Sequence, residues 1–209
     1  FYTMRIDPRT KEVVAANASP FSEELKAEII GARKASKGKD IPKFEVRRVM
    51  PLDDGRLAVV TENYVYTKRT TTDQNGNETT YETWLYGDVL TMYFDAEGKM
   101  ESYGVIKKKQ LCTAKNGQAS LFQKMGIGAY PGVNELPYYG IATMEVDNVV
   151  YIIFNDNPKN QVRLQEGKKP KSVRQRTAVT EFCTIKDGQV MRSTLFKAKD
   201  GEYRMPIMP

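Results

Sequence analysis

Side chains that could do chemistry are spread unevenly along this chain, and the richest cluster is Asn155-Asp156-Asn157-Pro158-Lys159-Asn160. Asn155, Asp156, Asn157 and Asn160 could set side-chain oxygens around calcium, a hard cation bound through oxygen. A calcium loop normally carries more carboxylates than Asp156 alone. The same residues therefore read more simply as Asx-turns closing a strand, with Pro158 fixing the bend. Glu62, Asp88, Asp95 and Asp156 are the raw material for glycoside hydrolysis, which needs two acids at a set separation. The sequence brings no two of them together, so no catalytic residue is assigned and no cofactor is expected. Histidine is absent, which excludes Ser-His and Cys-His nucleophiles and imidazole-bound zinc. Cys112 and Cys183 are too few for a four-thiolate metal site and read as buried free thiols more readily than as a disulfide.

Two stretches could bind rather than react. Tyr64, Tyr66, Trp84 and Tyr86 fall on one long hairpin, where exposed rings could stack on sugars or anchor another protein; they could equally form the hairpin's own small core. Residues 159–176 hold Lys159, Arg163, Lys168, Lys169, Lys171, Arg174 and Arg176 against Glu166 alone. Lys168, Lys169 and Arg174 are the candidate contacts to an anionic glycan or nucleic acid. The stretch has no aromatic residue for base stacking, and a solvated loop is the better reading. The net charge of +6 suits anionic partners, but no nucleic-acid motif accompanies it. Gly126-Ile127-Gly128 resembles a phosphate loop superficially; Pro131 and Gly132 forbid the helix such a loop must open.

The elements carrying these residues read as β-hairpins of two kinds. One kind centres on Asp7, Asp95 and Asp187, which stand 88 and 92 residues apart; the other centres on Asp53 and Asp147, 94 apart. Repetition at a near-fixed period points to a radially repeated β architecture. The expected fold is all-β, of antiparallel four-stranded meanders, β-propeller-like, with one inserted α-helix. As a single domain over 1–209 it divides into a half blade (1–17), a helical insertion (19–36), a blade (44–106), a loop (107–138), a second blade (139–196) and a trailing strand (202–206). An open stack would leave sheet edges bare, so the chain could be part of a longer propeller.

Local signals sharpen this. Ser19 is the expected N-cap, with Pro20 in the first helical turn and Phe21, Leu25 and Ile29 on one apolar face. Asn75-Gly76 predicts a two-residue hairpin turn. That register sets Tyr66 opposite Leu85 and Arg69 opposite Glu82, with Trp84 and Tyr86 on one face and Tyr64 and Tyr66 on the other. Gly87-Asp88 should mark a bulge. The outer hairpin, polar on both faces, should project as a ribbon. No apolar run approaches the ~20 residues of a membrane-spanning helix.

The run Asp88-Val89-Leu90-Thr91-Met92-Tyr93-Phe94-Asp95-Ala96-Glu97-Gly98-Lys99-Met100, then Lys108-Lys109-Gln110, then Phe154-Asn155-Asp156-Asn157-Pro158-Lys159-Asn160, resembles uncharacterised exported β-propeller-like envelope proteins of Bacteroidetes-type bacteria. It departs at 100–104, where such proteins often carry a Trp. The resemblance implies a location in the periplasm or at the cell surface, and no reaction. The expectation is a non-catalytic binding or structural envelope protein whose partner is a glycan or another envelope protein. A carboxylate-dependent glycan-active enzyme is the alternative, and a nucleic-acid binder acting through 159–176 the third reading.

Overall fold

The computed structural model describes residues 1–115, 118–119, 139–173 and 177–196. Arg174, Arg176, the glycine-rich segment 126–132 and the expected strand 202–206 lie outside the described residues. The described chain is mostly strand, paired antiparallel throughout. The first hairpin joins β1 (Tyr2–Ile6) to β2 (Val13–Ala18). Two short helices follow, α1 (Glu23–Ile30) and α2 (Ala32–Ala35). A six-stranded sheet comes next, from β3 (Glu45–Pro51), β4 (Leu57–Thr72), β5 (Glu78–Phe94), β6 (Met100–Ile106), β7 (Gln110–Lys115) and β8 (Gln118–Ala119). A four-stranded meander then runs β9 (Ala142–Val146), β10 (Val149–Asp156), β11 (Val179–Lys186), β12 (Gln189–Phe196), with α3 (Asn160–Gln165) between β10 and β11. No described helix is long and apolar enough to cross a membrane.

Strand β5 organises the larger sheet. One flank pairs with β4 along its whole length; the other holds β7 at residues 81–86 and β6 at residues 89–94. The two halves meet at a bulge where Gly87 and Asp88 oppose Asn63 alone. A Cβ on Gly87 would lie 2.6 Å from Asn63 Oδ1, so the expected bulge needs glycine for clearance as well as for shape.

Period-two alternation sends side chains of the inner half to both faces, and both are covered. On one face Ala58, Val60, Val89, Tyr93 and Ile106 pack against Val150, Ile152, Phe154, Cys183 and Ile185 of the meander. On the other, Val59, Leu90, Met92 and Phe94 lie under Phe21, Leu25 and Ile29. Each large apolar side chain so buried contributes about 1.5–3 kcal/mol.

Several local expectations change. The turn at Asn75-Gly76 is a three-residue loop: Asp73 N–H donates to Asn77 O at 3.0 Å and Gly76 N–H to Asp73 O at 3.1 Å. Gly76 takes φ +81°, while Asp73 Oδ1 accepts from the N–H groups of Asn75 and Asn77. Asp73 captures these donors and builds the turn-plus-glycine loop in place of the shorter one. The register moves by one residue: Tyr66 faces Trp84, Lys68 faces Glu82 and Arg69 faces Tyr81. The helix begins later than Ser19, because Ser22 Oγ accepts from Leu25 N–H, whereas Ser19 N–H continues the first hairpin's ladder by donating to Phe1 O. Gly31, at φ +88°, divides α1 from α2. Inside the expected loop 107–138 stands β7, with Gln110, Cys112 and Ala114 buried in alternation with exposed Leu111, Thr113 and Lys115. It turns the ribbon's base into a three-stranded sheet. A third helix, α3, occupies part of the expected polar connection.

Candidate functional site

Where β4, the β6–β7 connection and β10–β12 converge between the two sheets, the apolar core gives way to a seam of charge. Glu62 is the last paired residue of β4 before the bulge, and alternation turns it inward. Asp156 ends β10 on the same inward face as Phe154, and Arg192 lies opposite Cys183 across the β11–β12 ladder. Lys108 enters because the chain must cross from the β6 half of β5 to the β7 half. The crossing buries Lys108 and Gln110 and leaves Lys107 and Lys109 half-buried.

The seam is a chain of paired ions. Glu62 Oε2 accepts from Arg47 Nε at 2.9 Å, and Lys108 Nζ lies 2.5 Å from Glu62 Oε1. Lys108 Nζ also donates to Gln110 Oε1 at 2.9 Å, an oxygen that accepts Gly140 N–H, while Gln110 Nε2 donates to Asn155 O. On the meander side Arg192 donates to Asp156 Oδ2, to Glu181 Oε2 at 2.9 Å and to Lys107 O at 2.9 Å. Phe154 separates the two halves: Lys108 Nζ stands 5.8 Å from its ring centroid and the Arg192 guanidinium 5.1 Å, within cation–π range. Arg47 lies over Tyr64 and Tyr86 in the same way.

Burial dominates the proton affinities. It pulls the Lys108 ammonium below the usual lysine value, against the opposing fields of Glu62 and Asp156. It raises the Asp156 carboxyl, against the Arg192 guanidinium. For Arg192 itself burial is outweighed, and the Asp156 and Glu181 carboxylates hold its pKa above the ordinary arginine value. A lysine with lowered proton affinity is the usual material of amine nucleophiles. Here Lys108 is 1% exposed, and its amine is in contact with a carboxylate and an amide oxygen.

Of the four carboxylates considered for hydrolysis, the structure gathers Glu62 and Asp156 at the seam, each bound to bases. Asp88 pairs with Lys107 at 2.7 Å, and Asp95 accepts Lys99 N–H in its turn. The oxygen-rich segment is occupied by protein donors. Asp156 Oδ1 accepts from Asn160 Nδ2, Asn160 Oδ1 from Lys171 N–H, Asn157 Oδ1 from Lys159 N–H and Asn155 Oδ1 from Thr180 Oγ1. These are Asx-type clips that dock α3 and residues 171–172 beside β10. Among the described residues no group of three or more acids and thiols converges as a metal site would require.

The shifted register puts Tyr64, Tyr66, Trp84 and Tyr86 on one face, since opposed residues of an antiparallel pair share a side. Tyr64 packs on Tyr86 at 5.0 Å between centroids, Tyr66 on Trp84 at 5.5 Å and Tyr86 on Tyr139 at 5.9 Å. Trp84 and Tyr86 are buried with Cys112, Ala114, Val173 and Ala178, and Tyr64 and Tyr66 are half-buried at the margin. The rings form a core that the hairpin shares with β7 and with Tyr139, Val173 and Ala178. Lys168 and Lys169 are exposed; Lys168 pairs with Glu166, and Lys169 O accepts from Arg163. Both cysteines are free and buried.

Sequence reasoning missed Lys108, Arg47, Glu181 and Arg192 as a set. The sequence carries no signal for it: Lys107-Lys108-Lys109-Gln110 is uniformly polar, and only the structure shows 108 and 110 buried in alternation with 107 and 109. In comparisons with known proteins, no family model, no curated protein and no solved structure matches this chain.

Proposed function

We propose that this chain is a non-catalytic binding or structural component of a bacterial cell envelope, exported to the periplasm or cell surface. Its hairpin units stack in a propeller-like manner, and its partner is a glycan or another envelope protein. The observation that carries the non-catalytic reading is the mutual commitment of the seam's ions: Glu62 to Arg47 and Lys108, Asp156 and Glu181 to Arg192. A general acid or a nucleophile needs a free face toward substrate, and these groups meet other protein side chains instead. The resemblance in residues 88–100 and 154–160 supports the location. The same Asp-turn hairpin recurring with the same bulge in β1–β2 and β5–β6 supports the stacked arrangement.

Two measurements test the reading. Fractionation of cells making the natural protein should place it with the periplasm or outer surface; a cytosolic protein overturns the location. Incubation with a panel of envelope polysaccharides should release no sugar. Hydrolysis that is lost in folded Glu62→Gln or Asp156→Asn variants would replace binding with catalysis.

A further inference from the structure

The first hairpin is built inside out. Along β1–β2, Tyr2, Met4 and Ile6 share a face with Val13, Ala16 and Ala18. Tyr2 is 86% exposed, Met4 63%, Val13 53% and Ile6 52%. The opposite face lies against the β5–β6 turn, where Phe1, just ahead of β1, stacks on Phe94 at 5.2 Å between centroids. Thr3 Oγ1 donates to Gly98 O, Arg5 Nη1 to Ala96 O at 2.9 Å and Asn17 Nδ2 to Glu97 O. These bonds clamp the hairpin to the β5–β6 turn and hold its apolar side toward solvent. A lone two-stranded sheet would ordinarily turn its apolar face to the core.

The molecule itself contains the covered form of this surface. Aligning Asp7 with Asp95 sets Tyr2, Met4 and Ile6 against Leu90, Met92 and Phe94. The partner strand aligns as well, since Ile6, Met4 and Tyr2 face Val13, Ala16 and Ala18 as Phe94, Met92 and Leu90 face Met100, Tyr103 and Val105. The register shift falls at the same step, Arg5/Ile6 in one hairpin and Tyr93/Phe94 in the other. On β5–β6 that face is closed by Leu25 and Ile29 of α1, with Phe21 ahead of the helix and Phe1 and Phe44 at the margin.

We infer that the outward face of β1–β2 is a docking surface for an amphipathic helix of a partner protein, one carrying apolar side chains at i and i+4 as α1 does with Leu25 and Ile29. The inference rests on the reading of this chain as a binding component and names the surface and the kind of partner. A strand added to either edge would satisfy backbone groups yet leave the apolar face wet. A second copy is the poorer occupant. The face is on the order of 200 Å² in outline, far below the roughly 800 Å² each side of a standard interface contributes. A helix delivered by a larger partner brings further contacts of its own. The chain's own α1 is not available, because Leu25 is fully buried against β5.

The test uses the whole protein and a synthetic peptide with the sequence of residues 19–36, locked helical by a lactam on its solvent side because so short a helix is marginal in water. Backbone amide shifts are followed during titration. Expected are shifts confined to residues 2–18, with affinity falling about tenfold or more for the Met4→Lys protein and for a peptide carrying Leu25→Asp. Shifts elsewhere, equal affinity for Met4→Lys, or none at saturating peptide overturn the inference. So does a concentration-dependent dimer that Met4→Lys abolishes, which would assign the face to a second copy. Any of these leaves the envelope location and the absence of hydrolysis to stand or fall on their own measurements.

Discussion

Charges tie the two sheets together at both ends of their shared core, and the two ties sit in different solvents. At the seam, Glu62, Lys108 and Asp156 are excluded from water and Arg192 nearly so. At the other end the turns meet: Arg56 pairs with Asp54 at 2.7 Å and with Asp187 at 2.6 Å, and Asp53 N–H donates to Asn148 Oδ1. There Asp187 is more than half exposed. The geometries are alike, but the consequence of breaking them is not. A buried ion that loses its partner keeps its full desolvation cost, whereas an exposed one is rehydrated at once.

The largest expected effect follows. Glu62→Leu leaves the Lys108 ammonium buried without its carboxylate, beside a half-buried Arg47, and should cost about 3–5 kcal/mol of unfolding free energy, read from urea midpoints at constant slope. Adding Lys108→Leu should restore part of that loss, because an apolar pair needs no solvation. If the double variant is less stable than Glu62→Leu alone, the seam is not a desolvated ion chain and the contrast between the two ends disappears.

The rim was legible in the sequence and the seam was not, for a physical reason. Asp95 to Gly98, Asp147-Asn148 and Asp187-Gly188 are turn chemistry within a few residues, and the positive φ of Asp147, Asn148, Gly98 and Gly188 bears it out. From such turns the blades 44–106 and 139–196 could be read, and they hold β3–β6 and β9–β12. Lys108 sits in a run of three lysines, and its burial is decided by which half of β5 the chain is joining. Arg192 and Asp156 meet only because β10 and β12 flank β11. The aromatic ribbon lies between these cases. Its residues were found, but their face depended on whether a loop held two residues or three, which Asp73 settled through its own hydrogen bonds.

Cys183 offers a finer probe of how dry the seam is. It packs in the core opposite Arg192, and burial pushes its thiol from about 9 up to about 12, with Glu181 and Asp156 adding to the rise and Arg192 opposing it. The folded thiol keeps its proton where the unfolded one has lost it. Its stabilisation is therefore complete below the unfolded value and lost as pH rises through the folded one. In that window the unfolded state binds fewer protons, so stability should fall by up to about 1.4 kcal/mol per pH unit. Urea midpoints of wild type between about pH 9 and about pH 11 should fall more steeply than those of Cys183→Ala. Parallel lines would mean that the thiolate is solvated in place.

The smallest effect belongs to the rim. Arg56→Met keeps the aliphatic stem against the Tyr93 ring, 5.7 Å from the guanidinium carbon in the native chain, and removes the charge with its hydrogen bonds to Asp54 and Asp187. The Arg56 side chain is 22% exposed and its partners more so, so water and salt already screen the pair. The loss should be below about 1 kcal/mol and should shrink further as sodium chloride is raised. The cost of Glu62→Leu should hardly change over the same range, because mobile ions do not enter a closed seam. A cost for Arg56→Met that matches Glu62→Leu, or that persists in high salt, would mean that the turn end is as dry as the seam. The two sheets would then be clamped at both ends rather than sealed at one and latched at the other.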